Sequence, residues 1–315
     1  MNKKYDVVAL GELLIDFTEN GISEQGNLIL EANPGGAPCN VLAMVTKFGY
    51  NTAFIGKVGN DNFGRMLADT VAGVGINIDG LVFDDDVPTT LAFVHTKPDG
   101  DRSFSFYRNP GADVMLTKDD IPEELIKQSK IFHFGTLSMT HTSAEEATLK
   151  AVEIAKSNGL VISFDPNLRP PLWDDLNDAK DKMAYGMSMC DVLKISDNEI
   201  QFFTGEEDID KGIEIIRSKY DIKLVCATLG KEGSVAYYGD KVIYGTPYVT
   251  DKTIETTGAG DTFMGCVLHS VLENGIDDFD EEKISRMLDI SNHAASIITT
   301  RRGALRVMPE VSLFL

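Results

Sequence analysis

Two kinds of hydrophobic pattern alternate along most of the chain. Short, largely apolar runs occupy positions 7–10, 52–58, 131–134, 160–164, 191–195 and 223–228. Stretches with apolar residues at helical spacing lie between several of them, at 39–48, 63–74 and 144–157. Because short buried strands alternating with helices are typical of parallel sheets, the pattern predicts an α/β fold whose mainly parallel central sheet is flanked by helices on both faces.

Two segments, at approximately 12–33 and 89–108, depart from this rhythm. Each contains apolar runs on either side of a polar, glycine-containing middle, with no helical pattern between them. In the second segment, alternating residues flank the sequence Lys-Pro-Asp-Gly-Asp at 97–101, which is typical of a hairpin turn. We therefore expect a single domain over residues 1–315, in which these two segments form a small β-sheet. Such a sheet could cover a pocket as a lid or pair with a second subunit.

The composition excludes several classes of function. The formal net charge is −20, so the surface repels nucleic-acid phosphates and no nucleic-acid partner is expected. No stretch of 18 apolar residues exists, and the N-terminal apolar run is too short for a signal sequence, which predicts a cytoplasmic protein without a membrane partner. The four cysteines are far apart and form no C-x-x-C pair, so neither a disulfide framework nor a zinc site is supported.

The strongest local motif is the sequence Gly-Ala-Gly-Asp at 258–261. A helical pattern follows it directly and ends at Asn274-Gly275. Small residues let the backbone N–H groups turn inward, and the positive end of the helix dipole adds to them, so the turn can cradle a phosphate without Lys or Arg. Asp261, at the mouth of this turn, could take a proton from an attacking hydroxyl. As a motif by itself, Asp261 could equally be an ordinary acidic residue in a first helical turn.

Two other phosphate-binding motifs fail on spacing. Gly56-Lys57 is followed by Val58 rather than Ser or Thr, and no glycine lies five positions before Gly56, so a P-loop is absent. The dinucleotide motif G-x-G-x-x-G also fails, because Phe263 stands where the third glycine would follow Gly258 and Gly260. P-loop NTPases and dinucleotide-dependent oxidoreductases are therefore poor matches.

A second glycine-rich turn, Gly35-Gly36, opens the first predicted helix. Together with Asp16 and Asn40 it would supply convergent donors and acceptors for sugar hydroxyls. A Gly-Gly turn alone is more often a plain loop.

In combination, these motifs resemble the ribokinase-like carbohydrate kinase family, also called the PfkB family, across essentially the whole chain. The motifs that carry the resemblance are Gly11-Glu12 with Asp16, Gly35-Gly36 with Asn40, the stretch 56–64, Thr228-Leu229-Gly230 and the stretch 256–261. The resemblance implies a ribokinase-like α/β fold with a β-sheet lid, ATP as phosphoryl donor and Mg²⁺ as its companion.

The resemblance also assigns site residues by position. It implies Asp261 as catalytic base and Gly258, Ala259 and Gly260 as the anion hole. It places Asp16, Gly35, Gly36 and Asn40 on the sugar. The nucleotide positions that it implies are Ser196, Thr228, Gly230, Gly233 and, near the adenine, Asn292.

The chain differs from the family pattern at two positions. Glu255 opens the Thr-Thr-Gly-Ala-Gly-Asp motif where relatives usually carry Asp, at a position that helps to form a K⁺ site. The resemblance assigns that site to Glu255, Thr257 and the backbone near Ile298, Arg301 and Gly303. The N-x-x-E motif of the family begins here with Ser196 instead of Asn, and its Glu199 is expected to organise Mg²⁺ through water.

Two stretches bear on the sugar. Residues 104–113 and 165–173 resemble the fructokinase branch of the family, which implies that Phe106, Arg108 and Arg169 contact fructose during its conversion to fructose 6-phosphate. The alternative is a 2-keto-3-deoxygluconate kinase, since two arginines also suit a carboxylate. A hypothesis from another class is a sugar-binding regulator without catalysis. The exposed edges of the lid strands further predict a homodimer formed through the lid.

Overall fold

The computed structural model describes residues 3–96 and 102–315. Thirteen strands lie in this part of the chain. They are β1 (Tyr5–Leu10), β2 (Leu14–Ile22), β3 (Leu28–Gly35), β4 (Thr52–Gly59), β5 (Asn77–Asp84), β6 (Leu91–Thr96), β7 (Arg102–Tyr107), β8 (Ser129–Gly135), β9 (Val161–Asp165), β10 (Val192–Ser196), β11 (Leu224–Thr228), β12 (Ser234–Tyr238) and β13 (Lys241–Gly245).

Nine of these strands form one large sheet in the order β13-β12-β11-β10-β9-β8-β1-β4-β5. From β11 to β5 all neighbouring pairs are parallel, and only β12 and β13 join as antiparallel neighbours at one edge. The predicted, mainly parallel central sheet is therefore confirmed. Its parallel strands all end at the same edge, which is the edge where ligands sit in α/β folds.

Helices cover both faces of the large sheet. Those in the described residues are α1 (Ala37–Lys47), α2 (Asn62–Gly73), α3 (Glu123–Lys127), α4 (Thr142–Ser157), α5 (Leu176–Met189), α6 (Asp197–Thr204), α7 (Ile209–Lys219), α8 (Ala259–Asn274) and α9 (Glu281–Ile298). The first, second, eighth and ninth pack on one face, and the third to seventh on the other.

The central strand β1 shows how the sequence separates the two cores. Its residues Val7 and Ala9 belong to one apolar cluster, whereas Val8 and Leu10 belong to the other. All four side chains are fully buried. A strand alternates its side chains between two faces, so a continuous apolar run is what a sheet covered on both sides requires.

The two exceptional segments form a separate small sheet in the order β3-β2-β6-β7. Both β2–β3 and β6–β7 are antiparallel hairpins, and β2 joins β6 in parallel. This parallel pairing had no signal in the sequence, because it joins two segments that are far apart along the chain. The predicted turn at 97–101 lies outside the described residues. Several large apolar side chains of this sheet are exposed, among them Ile22, Leu28 and Tyr107.

All four cysteines are free and buried. Burial raises the pKa of each thiol, of Cys226 to about 12. Within residues 3–96 and 102–315, no helix combines the length and the apolar character that crossing a membrane requires.

Candidate active site

A cavity of about 1060 Å³ lies between the carboxyl edge of the large sheet and the small sheet. We call the start of α8 and the ends of β9 and β10 the floor of this cavity, and the strands β2, β3, β6 and β7 its roof. The cavity is large enough for a nucleotide together with a small molecule. Most of the predicted site residues line it, namely Asp16, Gly35, Gly36, Asn40, Phe106, Arg108, Arg169, Ser196, Glu199, Thr228, Gly230, Gly233, Glu255, Thr257, Gly258, Ala259, Gly260, Asp261, Asn292 and Gly303.

The floor is centred on the first turn of α8. Gly258 precedes the helix with φ +77°, a left-handed conformation that glycine adopts without strain. The Ala259 N–H already donates to the Thr256 carbonyl at 3.2 Å. Within the described part of the chain, the N–H groups of Gly260 and Asp261 have no backbone acceptor. These two orphan donors at the positive end of a helix are suited to an anion, whereas the amide of Ala259, which was predicted to join them, already donates within the turn.

Asp261 is held by a residue from the start of the chain. Its Oδ2 accepts a hydrogen bond from Asn40 Nδ2 at 2.8 Å, and Asn40 belongs to α1. The other amide atom, Asn40 Oδ1, is buried and has no partner among the described residues. A buried acceptor costs free energy unless it is bonded, so this oxygen is suited to a hydroxyl donor of a ligand. Burial raises the pKa of Asp261 to about 6, against the opposing effect of the Asn40 bond.

The glycines of the second turn make room for acidic groups. A side chain on Gly35 would overlap Asp16 Oδ2, and one on Gly36 would overlap the backbone oxygen of Glu12. Asp16 therefore approaches the cavity directly beneath the turn. Burial raises the pKa of Asp16 to about 7, and it does the same for Glu12, whose Oε1 accepts from the Ala37 N–H at 2.8 Å.

The two predicted arginines have very different surroundings. Arg108 is almost completely buried and forms an ion pair with buried Asp113, at 2.6 Å from Nη2. Its Nε also donates to Asp113, and its remaining groups donate to Thr140 Oγ1 and the Leu137 carbonyl. Arg169 is exposed to the cavity, and its Nη1 donates to the carbonyl of the preceding residue. The charge of Arg108 is thus neutralised within the protein, whereas Arg169 faces Asp16 and Asp261.

A buried ion pair in the floor was missed by the sequence analysis. Lys194 Nζ lies 3.0 Å and 3.2 Å from the two carboxylate oxygens of Asp165. Both residues lie near the carboxyl ends of adjacent parallel strands, β10 and β9. The signal was available, because a lysine between the apolar residues Leu193 and Ile195 of a buried strand is costly without a special partner.

The predicted nucleotide positions line the same cavity. Ser196 caps α6, and Glu199 closes the reciprocal bond to the Ser196 N–H at 2.8 Å. The second carboxylate oxygen of Glu199 accepts from Leu168 N–H, also at 2.8 Å. Gly233 has φ +95°, and Asn292 Nδ2 donates to the Thr246 carbonyl. The positions expected for phosphate and adenine therefore border the same cavity as Asp261.

Glu255 joins two loops beside the anion site. Its Oε1 accepts a 2.7 Å hydrogen bond from the Gly303 N–H. Arg301 and Ile298 do not line the cavity, and the guanidinium of Arg301 donates to the carbonyls of Val307 and Met308. Within the described ranges, no group of three His, Cys, Asp or Glu side chains is arranged to hold a metal ion.

Comparison with known proteins gives a consistent result. The profile described as pfkB family carbohydrate kinase matches residues 4–311. The chain is 40% identical over 312 residues to fructokinase-2 of Solanum habrochaites, an alignment that covers 97% of this chain and 94% of the relative.

Solved structures agree with the sequence comparison. A fructokinase from Xylella fastidiosa with bound ATP matches with a TM-score of 0.88 and 29% identity, over 98% of this chain and 97% of that one. A double mutant of the fructokinase from Vibrio cholerae, with fructose, ADP and potassium ion bound, matches with a TM-score of 0.88 and 28% identity, over 100% and 99% of the two chains.

Proposed function

Because the chain belongs to the pfkB family of carbohydrate kinases, we propose that it transfers the γ-phosphoryl group of ATP to D-fructose and forms fructose 6-phosphate. The relatives that are named fructokinases, at about 40% identity over nearly the whole chain, support this substrate. The observation that carries the reaction is the position of Asp261, beside the orphan N–H groups at the start of α8 and at the base of a cavity that can hold both substrates.

Asp261 acts as the general base in this proposal. Its raised pKa, about 6, leaves it ionised at neutral pH and still basic enough to accept a proton. It takes the proton of the primary hydroxyl while that oxygen attacks the γ-phosphorus. The bond from phosphorus to the bridging oxygen of ADP breaks, and the N–H groups of the α8 turn stabilise the charge of the transferring group.

The roof and the Gly35-Gly36 turn hold the sugar. Asp16 accepts hydroxyl hydrogens from its place under Gly35, and Asn40 Oδ1, which has no partner within the described residues, accepts another. Phe106 and Arg169 also line the cavity and are assigned to the sugar in this proposal.

The nucleotide lies along Ser196, Thr228, Gly230, Gly233 and Asn292 in this proposal. Mg²⁺ would neutralise charge on the phosphates, and it usually keeps several water ligands in such sites. Glu199 suits contact through water, because both of its oxygens already accept backbone N–H bonds.

We propose that a K⁺ ion binds next to the anion site, in contact with Glu255 and the backbone near Thr257 and Gly303. Glu255 Oε1 already accepts from Gly303 N–H, so the longer side chain itself links the two loops. A rate that depends on K⁺ would show that the ion contributes to activity in addition to the hydrogen bond between Glu255 and Gly303.

The state of Arg108 favours fructose over 2-keto-3-deoxygluconate. A carboxylate sugar needs a free guanidinium for bidentate binding, and Asp113 already occupies that face of Arg108. Arg108 therefore shapes the sugar site while its charge is balanced. Arg169 is the observation that keeps the keto-acid sugar as a second candidate, since its guanidinium faces the cavity.

We also propose a homodimer formed through the roof, in which the small sheet serves as the lid of the site. Exposed Ile22, Leu28, Leu30 and Tyr107 on this sheet support such an interface. We assign the protein to the cytoplasm, where ATP is available.

The test is steady-state ADP release with MgATP against fructose, 2-keto-3-deoxygluconate, ribose, glucose and no sugar, each with and without K⁺. We expect fructose to give the highest kcat/KM. Dominance of the keto-acid sugar would reassign Arg169 to a carboxylate. Sugar binding without any turnover would instead identify a regulator.

A further inference from the structure

The floor of the cavity contains a buried cation that the reaction described above does not use. Lys194 lies in β10 between fully buried Leu193 and Ile195, and its side chain is only 8% exposed. Burying an ammonium group is costly, so a position of this kind needs compensation or a function. Asp165 supplies compensation through two contacts to Nζ, at 3.0 Å and 3.2 Å.

Asp165 does not use the whole ammonium group. An ammonium has three N–H donors, and both hydrogen bonds of Lys194 go to this one carboxylate. A Cβ placed on Gly260 would lie 2.9 Å from Nζ, so the ammonium is directly against the first turn of α8. Glycine at 260 is what allows this approach. The remaining face of the ammonium therefore points to the place where the orphan N–H groups of Gly260 and Asp261 meet the cavity.

Lys194 also remains charged at this position. Burial pulls the pKa of Lys194 down, but the negative charges of Asp165, Glu199 and Asp261 outweigh that effect and hold the pKa above its ordinary value. Other cations that line the cavity are placed differently. Arg108 is paired with Asp113, and Lys231 is exposed on the turn at Gly230–Glu232. Arg169 also lines the cavity, but it is exposed, and its Nη1 donates to the Leu168 carbonyl.

We propose that Lys194 is a further catalytic residue, whose ammonium contacts an oxygen of the transferring phosphoryl group beside Gly260 while Asp165 holds it in place. The inference rests on the proposed kinase function and adds a residue to it. Lys194 keeps its proton throughout. The proton of the sugar hydroxyl still goes to Asp261, and the new phosphorus–oxygen bond forms as the bond to ADP breaks.

The physical reason is electrostatic. A fixed positive charge in a site shielded from water stabilises the negative charge of the transferring group more than the same charge would in bulk water. In this acidic protein such a cation also counteracts the repulsion that Asp16, Glu255 and Asp261 exert on an incoming phosphate.

The competing explanation is purely structural, namely that Lys194 exists only to neutralise Asp165. Three variants separate the two roles: Lys194→Met, the double variant Lys194→Met with Asp165→Asn, and Lys57→Met. Lys57 is the matched control, because it is also buried in a strand of the large sheet and pairs with Asp120 at 2.8 Å, but it does not line the cavity.

We expect Lys194→Met to lower kcat for fructose by about 10²–10³-fold, as loss of one transition-state donor does. The double variant should recover thermal stability, because it leaves no unpaired charge, but not kcat. Lys57→Met should lose stability and keep kcat within about threefold of the native value. A double variant with native kcat would overturn the proposal, even if Lys194→Met alone fails to fold.

A binding measurement tests the contact without turnover. Calorimetry measures the affinity for MgADP in the presence of fructose, with and without aluminium fluoride as a mimic of the transferring phosphoryl group. The gain in affinity on adding aluminium fluoride is the tightening due to that group. We expect the double variant to bind MgADP within about threefold of the native protein and to lose most of the tightening. If aluminium fluoride strengthens binding to the double variant as much as to the native protein, the proposal is overturned.

The outcomes also separate this inference from the proposed function. If the native protein releases no ADP with any sugar, the proposed function fails as well. If the native protein is active and the double variant is equally active, only the role of Lys194 is refuted.

Discussion

The floor of the cavity holds its charged groups in buried pairs, whereas the roof presents its groups on a small and partly exposed sheet. In the floor, Lys194 is fixed by Asp165, and Asp261 by Asn40. The roof carries Asp16 on one side and exposed apolar residues such as Leu28 and Tyr107 elsewhere. From this difference we propose that the floor sets the rate of the chemical step, while the roof sets the affinity for the sugar. Changes in the floor should therefore act on kcat, and changes in the roof on KM.

The largest effect is expected from Asp261→Asn. The amide keeps the shape of the side chain but cannot take the proton of the sugar hydroxyl, so kcat should fall by about 10²–10⁴-fold. Sugar affinity, measured by calorimetry, should change little. A near-native kcat would show that Asp261 is not the base. A loss of sugar affinity with native kcat would contradict the assignment of catalysis to the floor and of sugar affinity to the roof.

A change in the roof should act differently. Gly35→Ala places a methyl group where Asp16 Oδ2 now lies, so the carboxylate must move while the fold remains. We expect KM for fructose to rise by about 10–100-fold, the cost of losing a charged hydrogen bond, with a smaller change in kcat. Gly73→Ala is a control away from the cavity, since Gly73 has no left-handed φ either and a Cβ there meets no atom within 4 Å. A larger fall in kcat than rise in KM would contradict the comparison.

A variant of Asp113 tests whether this carboxylate, by balancing the charge of Arg108, influences which sugar the site accepts. Asp113→Ala leaves a buried arginine unpaired and should lower the free energy of unfolding by about 3–5 kcal/mol. The freed guanidinium should also raise the ratio of kcat/KM for 2-keto-3-deoxygluconate to that for fructose, by about tenfold. Denaturant unfolding and the sugar panel measure the two effects. An unchanged ratio would show that Arg108 has no part in selecting the sugar.

The pH dependence of kcat/KM should follow Asp261. Its pKa is raised to about 6, and the ionised form is the base, so the rate is lost as the pH falls. Below about pH 6, kcat/KM for fructose should fall tenfold per pH unit, and above about pH 7 it should no longer depend on the protonation of Asp261. The residual rate of Asp261→Asn should lack this acidic limb. A limb that persists in the variant would belong to another group.

The smallest catalytic effect is expected on the outside of the roof. Tyr107→Ser replaces an exposed ring that packs against Phe93, with centroids 5.3 Å apart. In the proposed homodimer it should weaken association, as measured by light scattering with size-exclusion chromatography, and alter kcat by less than about twofold. An unchanged oligomeric state would exclude Tyr107 from the interface.

The sequence predicted what depends on local pattern. The apolar run at 7–10 became the buried centre of β1, and the Gly-Ala-Gly-Asp turn opens α8 as expected. Helix α1 begins two residues earlier than predicted, at Ala37, because Pro38 fits the first turn of a helix. Periodicity and turn chemistry act over a few residues, so a single sequence contains enough information to find them.

Pairs between distant positions could not be predicted in this way. The partners Asn40 and Asp261 are 221 residues apart, and Lys194 and Asp165 are 29 residues apart on neighbouring strands. Their geometry depends on the order of strands in the sheet, which hydrophobic pattern alone does not specify. Arg108 shows the consequence: the resemblance to the fructokinase branch implied direct sugar contact, while its partner Asp113 decides what the guanidinium can still bind.

The burial of all four cysteines makes the chain a convenient host for chemical labels. A thiol reacts as its thiolate, and here burial both hides the sulfur atoms and raises the pKa of each one. A single cysteine introduced at an exposed position of the roof, for example in place of Leu28, would then react selectively with a maleimide dye. Fluorescence from that site would follow movement of the roof as fructose and nucleotide bind, without first removing any native cysteine.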